Sequence, residues 1–122
     1  MPRFVILRHE MPAGSSRATH FDLMLEHEGA LWTWAIENLP AIGDTVIGDR
    51  LPDHRLAYLD YEGEVAGDRG QVHRVERGEY ATIEEAPAKI VAQIRGARLQ
   101  GMLALTALAD DPHRWRVSLA AG

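Results

Sequence analysis

His20 and Asp22 stand two residues apart in the segment His20-Phe21-Asp22-Leu23-Met24-Leu25-Glu26. In an extended strand, residues i and i+2 point to the same side, so one imidazole and one carboxylate would project together. His9 ends the apolar run Phe4-Val5-Ile6-Leu7-Arg8, and the loop Met11–Ser16 could bring it back over that pair. Two histidines and a carboxylate make a three-donor set with open positions for water or substrate, suited to Mn²⁺, Fe²⁺ or Zn²⁺. The plain alternative for an H-x-D pair on a strand is a hydrogen-bonded surface pair.

A second cluster is Asp53-His54-Arg55-Leu56-Ala57-Tyr58. If Arg55–Tyr61 is a strand, even spacing puts His54 and Tyr58 on one face. An imidazole there can protonate a leaving oxygen or hold a phosphoryl oxygen, and a phenol can donate to developing negative charge. The alternative is a partly buried tyrosine beside a surface histidine. Weaker candidates have plainer explanations. Trp32 and Trp34 share a side and suit the wall of a core, while His27, His73 and His113 lack a partner at a telling spacing. Ser15 and Ser16 lack the strand-turn-helix setting of a hydrolase nucleophile. Gly67, Gly70 and Gly78 suit loops and bulges, because no helix follows them as in a phosphate-binding loop.

The elements that must position these residues are short and densely punctuated. His20–His27 alternates, with Phe21, Leu23 and Leu25 on one side and His20, Asp22, Met24 and Glu26 on the other. Glu28-Gly29 reads as a turn and Ala30–Glu37 as the partner strand of a hairpin. Further strands are expected at Arg3–Arg8, Thr45–Ile47, Arg55–Tyr61, Gln71–Glu76, Glu79–Ile83, Arg98–Leu108 and Arg114–Ala120. The spacing also predicts one helix, N-capped by Thr82 with Glu85 three residues on, Pro87 in its first turn and Ile90, Val91 and Ile94 as a stripe ending at Gly96. The expected architecture is a small closed or partly closed antiparallel β-barrel with one short α-helix, forming a single domain over residues 1–122.

Composition sets the outer limits. The 122 residues carry 13 Lys+Arg against 18 Asp+Glu, a formal charge of −5, with no cysteine. Disulfide frameworks, thiolate zinc sites, iron–sulfur clusters and cysteine nucleophiles are excluded. Neither half of the chain is basic, which disfavours avid nonspecific binding to duplex nucleic acid. No apolar run is long enough for a membrane helix and no signal peptide is evident, so a cytoplasmic location is expected.

The order of these pieces resembles the 3′-phosphoesterase domain of bacterial ligase D, the multidomain ligase of non-homologous end joining. That family reads roughly F-V-x-x-x-H, H-Y-D-x-R-L-E, G-V-L-x-S-W-A-V and D-H-P-L-x-Y-x-x-F-E-G. The corresponding segments here are Phe4–His9, His20–Glu26, Gly29–Ile36 and Asp53–Gly63. Gly67–Tyr80 is similar to a shortened form of its glycine-rich hairpin, and Leu99–Leu105 and Trp115–Leu119 to its last two strands.

The resemblance implies a Mn²⁺-dependent β-barrel enzyme that removes a 3′-phosphate or a 3′-terminal ribonucleoside. It implies His9, His20 and Asp22 as metal ligands, with His54 and Tyr58 at the phosphate. Nucleic-acid 3′ ends or a small phosphoester would be the substrates, and a separate ligase or polymerase a partner.

The departures concern cations. Met24 stands where the family has arginine, Asn38 falls near its lysine, and Ala107 and Leu119 near its later basic residues. Arg17, Arg50 and Arg55 are candidate substitutes. The alternatives are an accessory module that keeps the ion without catalysis, and a two-histidine-one-carboxylate iron oxygenase.

Overall fold

The computed structural model describes all 122 residues, Met1–Gly122. Nine strands form one sheet: β1 (Arg3–Glu10), β2 (His20–His27), β3 (Ala30–Ile36), β4 (Thr45–His54), β5 (Gly63–Glu64), β6 (Gln71–Ala86), β7 (Lys89–Gly96), β8 (Gln100–Leu108) and β9 (Asp111–Ala120). The order is β1-β2-β3-β4-β9-β8-β7-β6-β5, and β1 also pairs with β6, which closes the ring. All strand pairings are antiparallel. No helix is long and apolar enough to cross a membrane.

Alternation along the strands sorts side chains onto two faces. Phe4, Ile6, Leu23, Leu25, Trp34 and Ile36 join residues of β6 to β9 in the main core inside the ring. Val5, Leu7, Met24 and Leu31 point the other way and meet Leu59, Val65 and Val72 in a second, smaller cluster. The segment after β4 therefore packs on the outside of the barrel. Each fully buried leucine or isoleucine contributes on the order of 1.5–3 kcal/mol relative to exposure. The Arg50 guanidinium of β4 sits 4.5 Å from the Trp34 ring centroid, and 5.6 and 5.7 Å from those of Trp115 and Trp32. Burial pulls its pKa down, and the Asp53 carboxylate opposes that.

The β2–β3 hairpin turns through Glu28 and Gly29, both with positive φ (49° and 84°). That is the two-residue turn whose twist matches antiparallel strands.

Three sequence expectations are corrected. The helix over Thr82–Gly96 is absent: β6 runs to Ala86 and β7 begins at Lys89, with Pro87 in the turn between them. Ile90, Ala92, Ile94 and Gly96 are buried in strict alternation, so the apolar run follows a period of two rather than 3.6. Its β-branched residues favour that choice, and neighbours on both sides supply the ladder. Gln71–Glu76 and Glu79–Ile83 are parts of one strand, β6, which passes from β1 to β7 along its length. Ile83 is 60% exposed because it occupies a bulge between Thr82 and Glu84. Arg55–Tyr61 is not a strand but contains a 3₁₀ turn, Leu56–Leu59. The partner strand β3 begins at Ala30, one residue before the Leu31–His54 pair, so the ladder ends there and Leu59 folds back into the outer cluster.

Glu76 is 4% exposed and ties down the β7–β8 turn. Its carboxylate accepts hydrogen bonds from the backbone N–H groups of Arg77, Ala97, Arg98 and Leu99. Burial alone would raise its pKa, but these donors outweigh it and hold the group below the usual value. Its contribution to stability is therefore complete above about pH 4.3 and fades as pH falls through the lowered folded-state pKa. Glu76→Gln should cost about 2–3 kcal/mol in urea denaturation at pH 7, and the gap should close toward pH 2. A gap independent of pH would mean that shape rather than charge matters at this position.

Candidate metal and phosphate site

The outer face of β1 and β2 builds the first half of the site. His9 pairs across the ladder with His20, and Leu7 with Asp22. Leu7 and Met24 share this face and are buried in the outer cluster, which fixes the strands beneath the polar residues. Asp22 is 2% exposed and His20 6%, while His9 is half-buried. One Asp22 carboxylate oxygen lies 2.9 Å from His9 Nδ1 and the other 2.9 Å from His20 Nε2. The ligand atoms of the three residues all fall within 4.8 Å of one another.

The far ring nitrogens decide what this arrangement can hold. His9 Nε2–H donates to the Arg69 carbonyl at 2.6 Å, and His20 Nδ1–H donates to the Ala18 carbonyl at 2.8 Å. A carbonyl only accepts, so each of these nitrogens carries its ring's hydrogen. A neutral imidazole then turns a lone pair toward the carboxylate, so each 2.9 Å approach calls for a cation between the two atoms. That cation is either a second proton on the ring or a metal ion. Cis donors on a metal with bonds near 2.1 Å stand roughly 3 Å apart, so the two His–Asp spacings are compatible with an ion. Carbonyls in this position are the kind of outer hydrogen-bond partner that orients histidines where they do ligate a metal.

Electrostatics follow the same geometry. The Asp22 carboxylate raises the His9 pKa, ahead of burial, which opposes it. Burial would raise the Asp22 pKa, but hydrogen bonds from His20 and then His9 bring it down to about 2. Gly70 makes the Arg69 contact possible, since a Cβ there would lie 1.8 Å from the Glu10 carbonyl oxygen. Its φ of +84° also favours glycine.

The second half of the site comes from β4 and the turn after it. Leu31 pairs with His54 but Thr33 with Leu51, so β4 carries an extra residue in this stretch. Such a bulge bends the strand and re-aims its side chains, and it accommodates Pro52. His54 Nδ1–H donates to the Pro52 carbonyl at 2.9 Å, which leaves Nε2 free. The His54 and Tyr58 rings meet edge-on, 5.7 Å between centroids. The sequence-level pairing of these two residues holds, through a 3₁₀ turn rather than a strand face.

A cleft of about 370 Å³ lies between the halves, with His9 and Asp22 on one wall and His54 and Tyr58 on another. His20 does not line it. Of the candidate cations, only Arg55 lines the cleft: Arg17 pairs with Asp49 at 3.2 Å and Arg50 is held by the tryptophans. Arg69 also lines the cleft and was missed. Its one sequence signal is its place in Gly67-Asp68-Arg69-Gly70, within a hairpin shorter than expected.

A family model for the DNA ligase D 3′-phosphoesterase domain matches residues 10–107. The chain belongs to that family.

Among relatives of this phosphoesterase-family chain is a multifunctional non-homologous end joining protein LigD from Mycobacterium bovis, 30% identical over 123 aligned positions covering 92% of the chain. Multifunctional non-homologous end joining DNA repair proteins LigD from two strains of Mycobacterium tuberculosis match at the same identity and coverage. The chain spans about 15% of the length of these curated relatives. Met24, where the sequence resemblance implies an arginine, is 1% exposed at the cleft wall. No guanidinium therefore rises from β2, and the cleft's arginines come from the outer loops instead.

Proposed function

We propose that this chain is a divalent-metal-dependent phosphoesterase that clears 3′-phosphates or 3′-terminal ribonucleosides from nucleic-acid ends, with Mn²⁺ as the preferred ion. The observation that carries this reading is the Asp22 carboxylate held between two imidazoles whose far nitrogens are committed to backbone carbonyls. His9 Nδ1, His20 Nε2 and Asp22 would hold the ion. When bound, the ion supplies Lewis-acid polarisation of a phosphoryl oxygen and charge stabilisation.

The chain's own residues account for the rest of the chemistry. His54 Nδ1–H is fixed on Pro52, so in the protonated ring Nε2–H is the donor available to the cleft. As the bond between phosphorus and the leaving oxygen breaks, its electron pair goes to that oxygen, which takes the proton from His54 Nε2. A water forms the new bond to phosphorus and releases a proton to solvent. For a 3′-phosphate, the products are a 3′-hydroxyl end and inorganic phosphate. The Tyr58 hydroxyl donates to a non-bridging oxygen as charge accumulates there.

Tyr58→Phe preserves the packing against the outer cluster and removes only that donor. It should lower kcat about 10²-fold with KM little changed, measured by phosphate release from a 3′-phosphorylated oligonucleotide. An equal rise in KM at constant kcat would assign Tyr58 to ground-state binding instead. Met24 at the cleft wall favours a second reading, an accessory module that binds the ion without turnover. Metal binding with no activity on any 3′-blocked end would select it.

A further inference from the structure

Next to the cleft is a depression of about 220 Å³ that shares Arg55, Tyr58 and Arg69 with it and adds Tyr61. The arginines at this junction differ from most others in the chain. Arg3, Arg8, Arg17, Arg50, Arg74 and Arg114 each have a carboxylate partner. Arg55 has no side-chain hydrogen bond or ion pair. Arg69 donates only its Nε–H, to the Ala66 carbonyl at 2.7 Å, which fixes the guanidinium plane and leaves its two terminal NH₂ groups free. Tyr61 is 39% exposed, with its hydroxyl anchored on the Glu64 carbonyl and its ring edge-on to Tyr58 at 5.8 Å. Glu64 also borders the depression but does not line the cleft.

Two unpaired guanidiniums suit a phosphodiester, and a pinned, half-open phenol ring suits an unpaired base. We propose that this depression is a subsite for the nucleotide immediately 5′ of the scissile phosphoester. Arg55 and Arg69 hold its phosphate and Tyr61 stacks its base. The inference rests on the phosphoesterase reading for the neighbouring cleft, and it names the substrate class: a 3′ end of at least two nucleotides, whose terminal base pair opens when the end is part of a duplex. It also supplies the cationic surround that Met24 removes from β2.

The test separates this subsite from catalysis. The probe is 5′-fluorescein-labelled tetrathymidylate with a 3′-hydroxyl, followed by anisotropy in EDTA, where neither scissile group nor metal is present. Arg55→Gln/Arg69→Gln should weaken binding at least about ten-fold and flatten the log K against log salt slope by roughly 0.7 for each phosphate no longer neutralised. Tyr61→Ala should weaken it at least about five-fold. Arg95→Gln/Arg116→Gln removes the same charge from exposed positions elsewhere and should change binding less than about two-fold. No binding by the parent protein, or equal losses in the two arginine pairs, would overturn the subsite. Binding with these losses but no turnover of any 3′-phosphate would leave the subsite standing and overturn the catalytic reading.

Discussion

Replacing Asp22 by Asn should weaken Mn²⁺ binding by at least about 10²-fold, more than loss of an outer hydrogen-bond partner costs. Phosphoesterase activity should fall by at least about 10³-fold. The carboxylate is the only anion that both imidazoles face, each at 2.9 Å. An amide at the same place donates through its nitrogen to the lone pair of one ring, and its oxygen faces the other ring without the negative charge that attracts a cation. The fold rests on the two apolar clusters rather than on this carboxylate, so the metal-free variant should stay folded. Isothermal titration with Mn²⁺ alongside circular dichroism separates the two effects. Retained Mn²⁺ affinity in a folded Asp22→Asn variant would remove the basis for the metal site.

His54→Ala tests the other wall of the cleft. Here kcat/KM should fall about 10³-fold, within the range for loss of a positioned general acid, while Mn²⁺ affinity stays within about three-fold of the parent. The division follows from position: His54 comes from β4, and its donor atoms are not among those that gather around Asp22. His54 is half-buried and belongs to neither apolar cluster, so a folding defect should be small. Loss of metal affinity together with turnover would show that His54 belongs to the ion's coordination instead.

Much of this site was legible because strand alternation is a strong local signal. The sequence separates Leu23 and Leu25 from His20, Asp22 and Met24, and the structure buries the first pair inside the ring and turns the second set outward. His9 was legible only as a candidate, since its place opposite His20 depends on a register set across the Met11–Thr19 loop. The helix expected over Thr82–Gly96 shows the limit of periodicity. Ile90-Val91-Ala92-Gln93-Ile94 fits periods of two and 3.6 alike, and only the neighbours β6 and β8 decide between them. His54 and Tyr58 were paired for the wrong local reason. Their meeting depends on the β4 bulge and on Leu59 finding the outer cluster, neither of which has a sequence period. Arg69 was invisible for a related reason. Its side chain lines the cleft and its carbonyl orients His9 through a turn whose close approach to Glu10 is a tertiary event.

The most direct measurement uses metal-stripped protein and a primer-template ending in a 3′-phosphate or a single 3′-ribonucleotide, with and without Mn²⁺, beside His20→Ala. His20 does not line the cleft, so this variant removes a proposed metal donor without altering the cleft lining. Release of the 3′ block that requires Mn²⁺ and disappears in His20→Ala is the expected result. Release that proceeds equally in EDTA, or persists in His20→Ala, would contradict a metal-dependent phosphoesterase built on His9, His20 and Asp22.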